Sequence, residues 1–398
     1  MNLDVPGLDQ LELRGKRVLV RVDFNVPQDE SGKITDDTRI RASIPTIEEI
    51  LKKGGKPILL SHLGRPKGAV TEKLRLTAGG RRLAELMRTP VVKLDESTGP
   101  RVADAIAKTP PHATVLLENV RFHAGEEKED KALAAEFAKL GDVFVNDAFG
   151  ASHRDHASVC GIARLLPSAA GRLLEKEIRA FRRVLEEPEQ PFVAILGGAK
   201  VSDKLKVVDH LLEKVNAILV GGGMAYTFLK AQDHSIGKSL VQEDQIDLVQ
   251  KALMKSERMG IPIVLPEDHL VANRFAIDAK PMVSGVDIAD PFIGLDIGPK
   301  TCAEYRRRIL EAKTVVWNGP MGVFEWPSFR GGTDAVAHAV AECEGYTVVG
   351  GGDSVAAVEQ AKVAAKIDHI STGGGASLEL LEGTLLPGIA VLQQARKR

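Results

Sequence analysis

Residues 192–198 read FVAILGG, residues 217–223 AILVGGG, residues 347–352 TVVGGG and residues 369–375 HISTGGG. Each is a short apolar stretch that ends directly in glycines. Most of these stretches are continuous Val/Ile/Leu runs rather than alternating ones, as expected of strands covered on both faces. Pro262–Leu265 and Thr314–Asn318 extend the set in the second half of the chain. Arg17–Val26, Pro57–Ser61, Thr114–Asn119 and Asp142–Asn146 are its counterparts in the first half. Amphipathic segments lie between them. In Ile44–Lys53, residues Ile44, Ile47, Ile50 and Leu51 share one face and Gly54 follows as a stop. Strand, helix, strand, repeated, predicts an α/β fold of parallel sheets with crossover helices.

The 398 residues exceed one ordinary core, which predicts two domains of about 150–200 residues. The boundary falls near residues 171–191. There Leu174, Ile178, Phe181 and Leu185 recur at helical spacing within a charged segment that ends in the Pro- and Glu-rich stretch Glu186–Pro191. A charged helix that stops at prolines suits a connector between two sheets. Basic and acidic side chains balance, 53 against 54, which argues against bulk binding to nucleic acid or to a membrane surface. Cys160, Cys302 and Cys343 have no paired spacing, so neither disulfides nor a zinc site is expected, and each reads as a small buried hydrophobe. The start of the sequence lacks a basic-then-apolar leader and no run is long enough to span a bilayer, which predicts a cytoplasmic protein.

In an open parallel sheet, ligands bind beyond the carboxyl ends of the strands. Glycine at those ends lets a ligand approach the backbone, and the N–H groups of a following helix favour anions. Four such clusters in one half predict a phosphate-rich ligand. The common nucleotide signatures fail, however. GGGMAY has Tyr226 and GGGDSV has Val355 where a dinucleotide fingerprint needs glycine, and Gln232 stands where a Walker loop before Gly237-Lys238-Ser239 needs one. Beside the first cluster, Lys200 and Lys204 stand one turn apart in a helix expected to begin near Ser202, where both could reach phosphates. Asp353 follows glycines at a strand end and could hold magnesium, cap a helix, or do both.

The first half carries a different set. Asp23 and Asn25 end the first run, His62 and Arg65 follow the second, Arg121 the third and Arg154 the fourth, with Arg39 in the connection after the first strand. Arginines grip phosphate and carboxylate bidentately, so these residues predict a pocket for a small polyanion, with Asp23 and Asn25 available to a hydroxyl. The residues alone leave open another acyl-phosphate-forming kinase or a nucleotide-binding regulator. The broken fingerprint argues against a dehydrogenase.

RVDFNVP, SHLGRP, LLENVRFH, VNDAFGASHRDHAS, LGGAKVSDK, VGGGMAYTF, VWNGPMGVFE, GGGDS and STGGGASLELLEG closely resemble the phosphoglycerate kinase family, in family order from about residue 15 to 390. The resemblance implies reversible phosphoryl transfer from 1,3-bisphosphoglycerate to ADP, giving 3-phosphoglycerate and ATP in glycolysis. It implies two doubly wound, Rossmann-like parallel-sheet domains joined by a connecting helix, with a cleft between them. Residues 1–170 would bind phosphoglycerate, 171–191 would connect, and 192–384 would bind the Mg-nucleotide, with 385–398 packing back on the first domain. Carried over by position, Asp23, Asn25, Arg39, His62, Leu63, Gly64, Arg65, Arg121 and Arg154 are similar to the phosphoglycerate site. Gly198, Lys200, Lys204, Gly222, Gly294, Asn318, Glu325, Gly351, Gly352, Asp353 and Ser354 are similar to the nucleotide site, with Glu325 on the ribose and Asp353 beside Mg2+. Arg39, Lys200 and the backbone of Gly373, Gly374 and Gly375 would act on the phosphoryl group in flight. The expected partners are these small molecules, with no nucleic acid and no membrane, and the expected state is a monomer.

Overall fold

In the computed structural model, which describes residues 2–395, the apolar runs become the centres of two parallel sheets. The first contains β1 (Arg17–Arg21), β2 (Lys56–Leu60), β3 (Val91–Lys93), β4 (Thr114–Leu116), β5 (Val143–Asn146) and β6 (Ser168–Ala170), in the order β3-β4-β2-β1-β5-β6. Every pairing in it is parallel. Its helices are α1 (Thr38–Lys52), α2 (Thr77–Leu86), α3 (Pro100–Lys108) and α4 (Lys131–Ala138), followed by α5 (Arg172–Leu185). The chain builds β2, β3 and β4 on one side of β1, then crosses to build β5 and β6 on the other. The topological switch therefore lies at β1 and β5, where an open α/β sheet takes its ligand.

The second sheet contains β7 (Phe192–Leu196), β8 (Ala217–Val220), β9 (Ile263–Val264), β13 (Thr314–Asn318), β14 (Tyr346–Gly350) and β15 (His369–Ile370), in the order β15-β14-β13-β7-β8-β9. This is a doubly wound order, built outward from β7 on one side and from β13 on the other, with its switch between β7 and β13. Between β9 and β13 the chain adds β10 (Asp268–Ala272), β11 (Met282–Gly285) and β12 (Ile293–Ile297), an antiparallel sheet in the order β11-β10-β12. The sequence reading expected only parallel sheets. It missed β11 because Met282 and Val283 are more than half exposed, and it missed the mostly buried β10 and β12 because Asp268, His269, Gly294 and Asp296 interrupt their apolar residues. The helices here are α6 (Leu205–Leu211), α7 (Met224–Ala231), α8 (Ile246–Met259), α9 (Pro299–Glu311), α10 (Gly331–Glu342), α11 (Gly352–Gln360) and α12 (Gly374–Leu381). The last helix, α13 (Pro387–Ala395), packs on β6.

Contacts divide the chain into two compact units, Asn2–Arg179 with the segment from Leu385 onward, and Ala180–Thr384. The division falls inside α5, which is one continuous helix. Met1 and residues 396–398 of the expected domains lie outside the described residues. Each unit has its own aliphatic core: Val18, Val20, Leu59, Leu116 and Val145 in the first, Ile195, Leu219, Val315, Trp317 and Val349 in the second. Trp317 is fully buried and donates its indole N–H to Gly319 O at 2.7 Å, fixing the turn after β13. Truncating it to alanine would cost about 3–5 kcal/mol. Cys160 is buried as expected, whereas Cys302 and Cys343 are only half-buried, and all three thiols are free. No helix among the described residues is long and apolar enough to cross a membrane.

Candidate active site

In the first unit, β1 stops at Arg21 rather than running to Val26, so Asp23 and Asn25 stand in the loop beyond the strand end. Arg39 lies in the connection after β1, as expected. It occupies the first turn of α1, which begins six residues before the expected segment. From there its guanidinium returns to the strand end, with Nη1 3.0 Å from Asp23 Oδ2 and 3.1 Å from Asn25 O. Asn25 Oδ1 accepts from Gly64 N at 2.9 Å, tying the β1 loop to the β2 loop. Gly64 must be glycine there: its φ is +63°, and a Cβ would lie 2.6 Å from Leu74. Arg121 donates to Gly64 O at 2.7 Å and is almost fully buried. Leu63 is buried, and its carbonyl accepts from Asn119 Nδ2 at 2.8 Å.

His62 is buried, and its Nδ1 lies 3.8 Å from Asp23 Oδ1. Burial, then the charges of Arg21, Arg121 and Arg39, hold its pKa well below the usual value, so the ring is neutral in ordinary buffer. Arg154 is half-buried, and its charge joins those of Arg21 and Arg121 in helping burial depress His156 to about 3. Arg65 is exposed beside Gly64. Asp23, Asn25, Arg39, Gly64 and Arg121 thus form one hydrogen-bonded and ion-paired group, with the neutral His62 beside Asp23, Arg154 in the field of these charges and Arg65 exposed next to Gly64. Arg21 is the residue the sequence reading passed over. It is fully buried, and its Nη2 lies 3.1 Å from His62 Nδ1. The available signal was an arginine inside the otherwise apolar run VLVRVDF.

In the second unit the glycines do two jobs. Gly198, Gly222 and Gly319 have φ of +113°, +68° and +99°. A Cβ would lie 2.6 Å from Gly198 N if added to Gly222, and 2.2 Å from Gly197 O if added to Gly319. The loops after β7, β8 and β13 therefore interlock backbone against backbone, and part of the glycine signal is this packing. Gly294 is likewise glycine because Tyr226 fills the space beside it, its hydroxyl 2.0 Å from where a Cβ would stand. Gly352 and Gly374 are different: a Cβ on Gly352 meets nothing within 4 Å, and one on Gly374 meets only Gly352 N and Gly351 Cα at 3.7 and 3.8 Å. They open α11 and α12, where the first N–H groups have no partner within the helix. Of the three N–H groups expected to meet a phosphoryl group, that of Gly373 is already taken by Ser371 Oγ at 3.3 Å.

The helix expected near Ser202 begins only at Leu205, so Lys200 lies in the loop, exposed, and Lys204 is the residue preceding α6. Lys204 is almost buried. Its ammonium donates to Asn318 O at 3.0 Å and to the Asn318 side-chain oxygen. Burial pulls its pKa down to about 8, against the pull of Asp203 and Asp353. Asp353 is exposed in the first turn of α11 and forms no cap hydrogen bond; Gly351 holds the capping position. Ser354 is fully buried and its hydroxyl accepts from Gly319 N at 2.5 Å, bracing the turn after β13.

Gly198, Gly222, Gly294, Glu325 and Asp353 line a cavity of about 520 Å³, together with Tyr226, Lys238 and Phe275. That volume lies in the range of small-ligand sites. Phe275, which the sequence reading missed, is 63% exposed and packs on Trp326 with ring centroids 4.5 Å apart. Its signal was a lone aromatic in a polar stretch of a chain with few aromatics. Behind the cavity wall, Asp296 is buried and accepts from Gly332 N at 2.7 Å and Ile297 N at 2.9 Å, while burial raises its pKa to about 7.

A family model described as phosphoglycerate kinase matches residues 8–384. The phosphoglycerate kinase of Moorella thermoacetica is 55% identical over 388 residues, covering 97% of this chain and 98% of its own. That of Acaryochloris marina is 52% identical over 396 residues, covering 98% and 99%. Among solved structures, the phosphoglycerate kinase from Coxiella burnetii has a TM-score of 0.89 at 40% identity, covering 98% of this chain and 100% of that one. The enzyme from Pyrococcus horikoshii OT3 gives 0.84 at 32%, covering 98% and 99%.

Proposed function

The chain belongs to the phosphoglycerate kinase family, which makes it a phosphotransferase of glycolysis acting on small molecules, and on that premise we propose which residues do the work. The group of Asp23, Asn25, Arg39, His62, Arg65, Arg121 and Arg154 binds phosphoglycerate. Arginines meet its charged ends, and the polar side chains Asp23 and Asn25 meet its hydroxyl. The cavity of the second unit binds ADP or ATP, with Glu325 toward the ribose. Lys204 and the first turns of α11 and α12 meet the phosphates. The observation that carries this reading is the convergence at the β7/β13 switch of open helix starts, a buried lysine and a carboxylate.

Asp353 suits magnesium. The ion takes one or two carboxylates and completes its shell with phosphate oxygens and water, and Asp353 is an exposed carboxylate of that kind. Among the described residues no cluster of three His, Cys, Asp or Glu side chains could hold a metal without the nucleotide. When bound, magnesium supplies charge neutralisation to the phosphate oxygens.

The acceptor in the ATP-consuming direction is a carboxylate, ionised at neutral pH, so the chain needs no general base. The neutral state of His62 supports a binding role for it rather than a proton shuttle. Catalysis reduces to alignment and charge stabilisation around the moving phosphoryl group. Arg39, Lys200 and the N–H groups of Gly374 and Gly375 supply that stabilisation, with Gly373 fixing the turn. Because donor and acceptor belong to different units, turnover needs both bound to one chain with the acyl phosphate kept from water. The protein works as a cytoplasmic monomer. A coupled assay tests the reading: ATP should form from ADP with 1,3-bisphosphoglycerate and not with acetyl or aspartyl phosphate. Equal use of all three donors would replace it with a general acyl-phosphate kinase.

A further inference from the structure

Arg21 ends β1 with no exposed surface, and its guanidinium is held on three sides. Nε donates to Ser158 Oγ at 2.9 Å, Nη1 to the carbonyl of Val22, and Nη2 faces His62 Nδ1 at 3.1 Å. Ser158 is itself fixed. Its hydroxyl donates to Glu126 Oε1 at 2.5 Å and its N–H to Glu126 Oε2 at 3.0 Å, and Glu126 is fully buried. A guanidinium has only donors and keeps its charge in proteins. The ring nitrogen it faces must therefore present a lone pair. In a neutral imidazole that leaves the proton on the other nitrogen, Nε2.

We propose that Arg21 is a positioning residue that holds His62 as the Nε2–H tautomer, so that the ring offers a fixed, neutral hydrogen-bond donor to the bound anion. The proposal rests on the reading of His62 as part of the phosphoglycerate site. The charged neighbours agree with it. His62 faces the cations Arg21 from β1, Arg39 from α1 and Arg121 from the turn after β4, together with the neutral ring of His156. Among the described residues, the carboxylate at its Nδ1 side, Asp23, is already paired with Arg39 at 3.0 Å. Glu126 stands behind Ser158, 3.7 Å from His156. A free imidazole would divide between two tautomers and gain charge near pH 6.5. A clamped one presents the same donor across the neutral range, and its anion affinity gains no pH dependence from the ring.

The test is nitrogen-15 NMR of the full, ligand-free chain, with the His62 signals assigned by their loss in His62→Gln. The expected wild-type result is an unprotonated Nδ1 and a protonated Nε2, unchanged between about pH 6 and 8. In Arg21→Met the ring should mix tautomers and titrate nearer its ordinary value. The KM for 3-phosphoglycerate should rise about tenfold from about pH 6 to 8 while kcat changes less than about threefold. Should that variant fail to fold, Ser158→Ala frees one side of the guanidinium and should give partial tautomer mixing. A wild-type ring carrying Nδ1–H, or titrating near its ordinary value, overturns the proposal. So does an unchanged Nε2–H tautomer in a folded Arg21→Met. Addition of 3-phosphoglycerate to the wild type tests the site reading separately: unmoved His62 signals would sink that reading and leave the tautomer result intact.

Discussion

The first unit makes its candidate site from side chains, and the second makes its own largely from backbone. Around β1 and β2, Arg39, Asp23, Asn25, Gly64 and Arg121 hold one another through hydrogen bonds and an ion pair, and His62 is hydrogen-bonded to the buried Arg21. Around β7, β8 and β13 the loops interlock where glycines leave room, and the open ends of α11 and α12 face outward with Lys204 and Asp353 beside them. The ligands proposed for the two sites account for the difference. A small, compact polyanion is best gripped by guanidinium forks, whereas a long nucleotide needs donors spread along a surface that its phosphates can approach closely. The first site should therefore lose function without losing stability when one side chain is removed, and the second should fail in stability when one is added.

The sharpest break of that contrast comes from the reacting region. Arg39→Ala and Lys200→Ala should each lower kcat at least about a hundredfold, with melting temperature and circular dichroism close to wild type. A near-normal rate in either variant removes that residue from the mechanism. Next come the glycines. Gly222→Ala forces a Cβ at positive φ to 2.6 Å from Gly198 N and should destabilise the protein by about 1–3 kcal/mol in denaturant unfolding. Gly374→Ala meets only ordinary contacts at 3.7 Å or more. It should shift stability by less than about 1 kcal/mol yet lower activity about tenfold if a phosphoryl group must approach that backbone. Equal stability losses in both variants would make the Gly373–Gly375 cluster packing geometry like that of Gly222.

A smaller effect concerns Lys204. Burial brings its pKa to about 8, and a bound phosphate would hold the proton. Nucleotide binding should then take up a proton, and affinity should fall with pH above about 8. Lys204→Arg, which stays charged, should flatten that fall, as calorimetric titration would read. The smallest effect is at Asp296, whose carboxyl is raised from 3.8 to about 7 by burial. Between those values the folded state binds more protons than the unfolded chain, so stability declines as pH rises through the window. Asp296→Asn should remove a slope of about 1 kcal/mol per pH unit from a pH series of unfolding curves.

Strands that bury both faces announce themselves as apolar runs, and β7, β8 and β13 match the stretches read from the sequence residue for residue. Most of the strands that were illegible are short or half-exposed. β3 is three residues between polar segments, β6 is Ser-Ala-Ala, and β11 faces solvent. β10 (DHLVA) and β12 (IGLDI) are five residues long and mostly buried, but polar residues or glycine break their apolar runs. The sequence marked the residues of the first unit's candidate site as arginines near strand ends, but not their partners. Nothing in the sequence says that Asn25 Oδ1 is spent on Gly64 N or that Arg21 turns toward His62. For the glycines, composition cannot separate Gly352, which has open space beside it, from Gly222, which packs against another loop.

Because each site sits on its own unit and is built from its own material, a single lesion should abolish one ligand and spare the other. Calorimetric titration of 3-phosphoglycerate and of Mg-ADP into the wild type, Arg39→Ala and Lys204→Met tests this most directly. The expected result is loss of phosphoglycerate binding alone in the first variant and marked weakening of nucleotide binding alone in the second. Loss of nucleotide affinity in Arg39→Ala, or undiminished phosphoglycerate affinity there, would contradict the division of labour proposed for the two units.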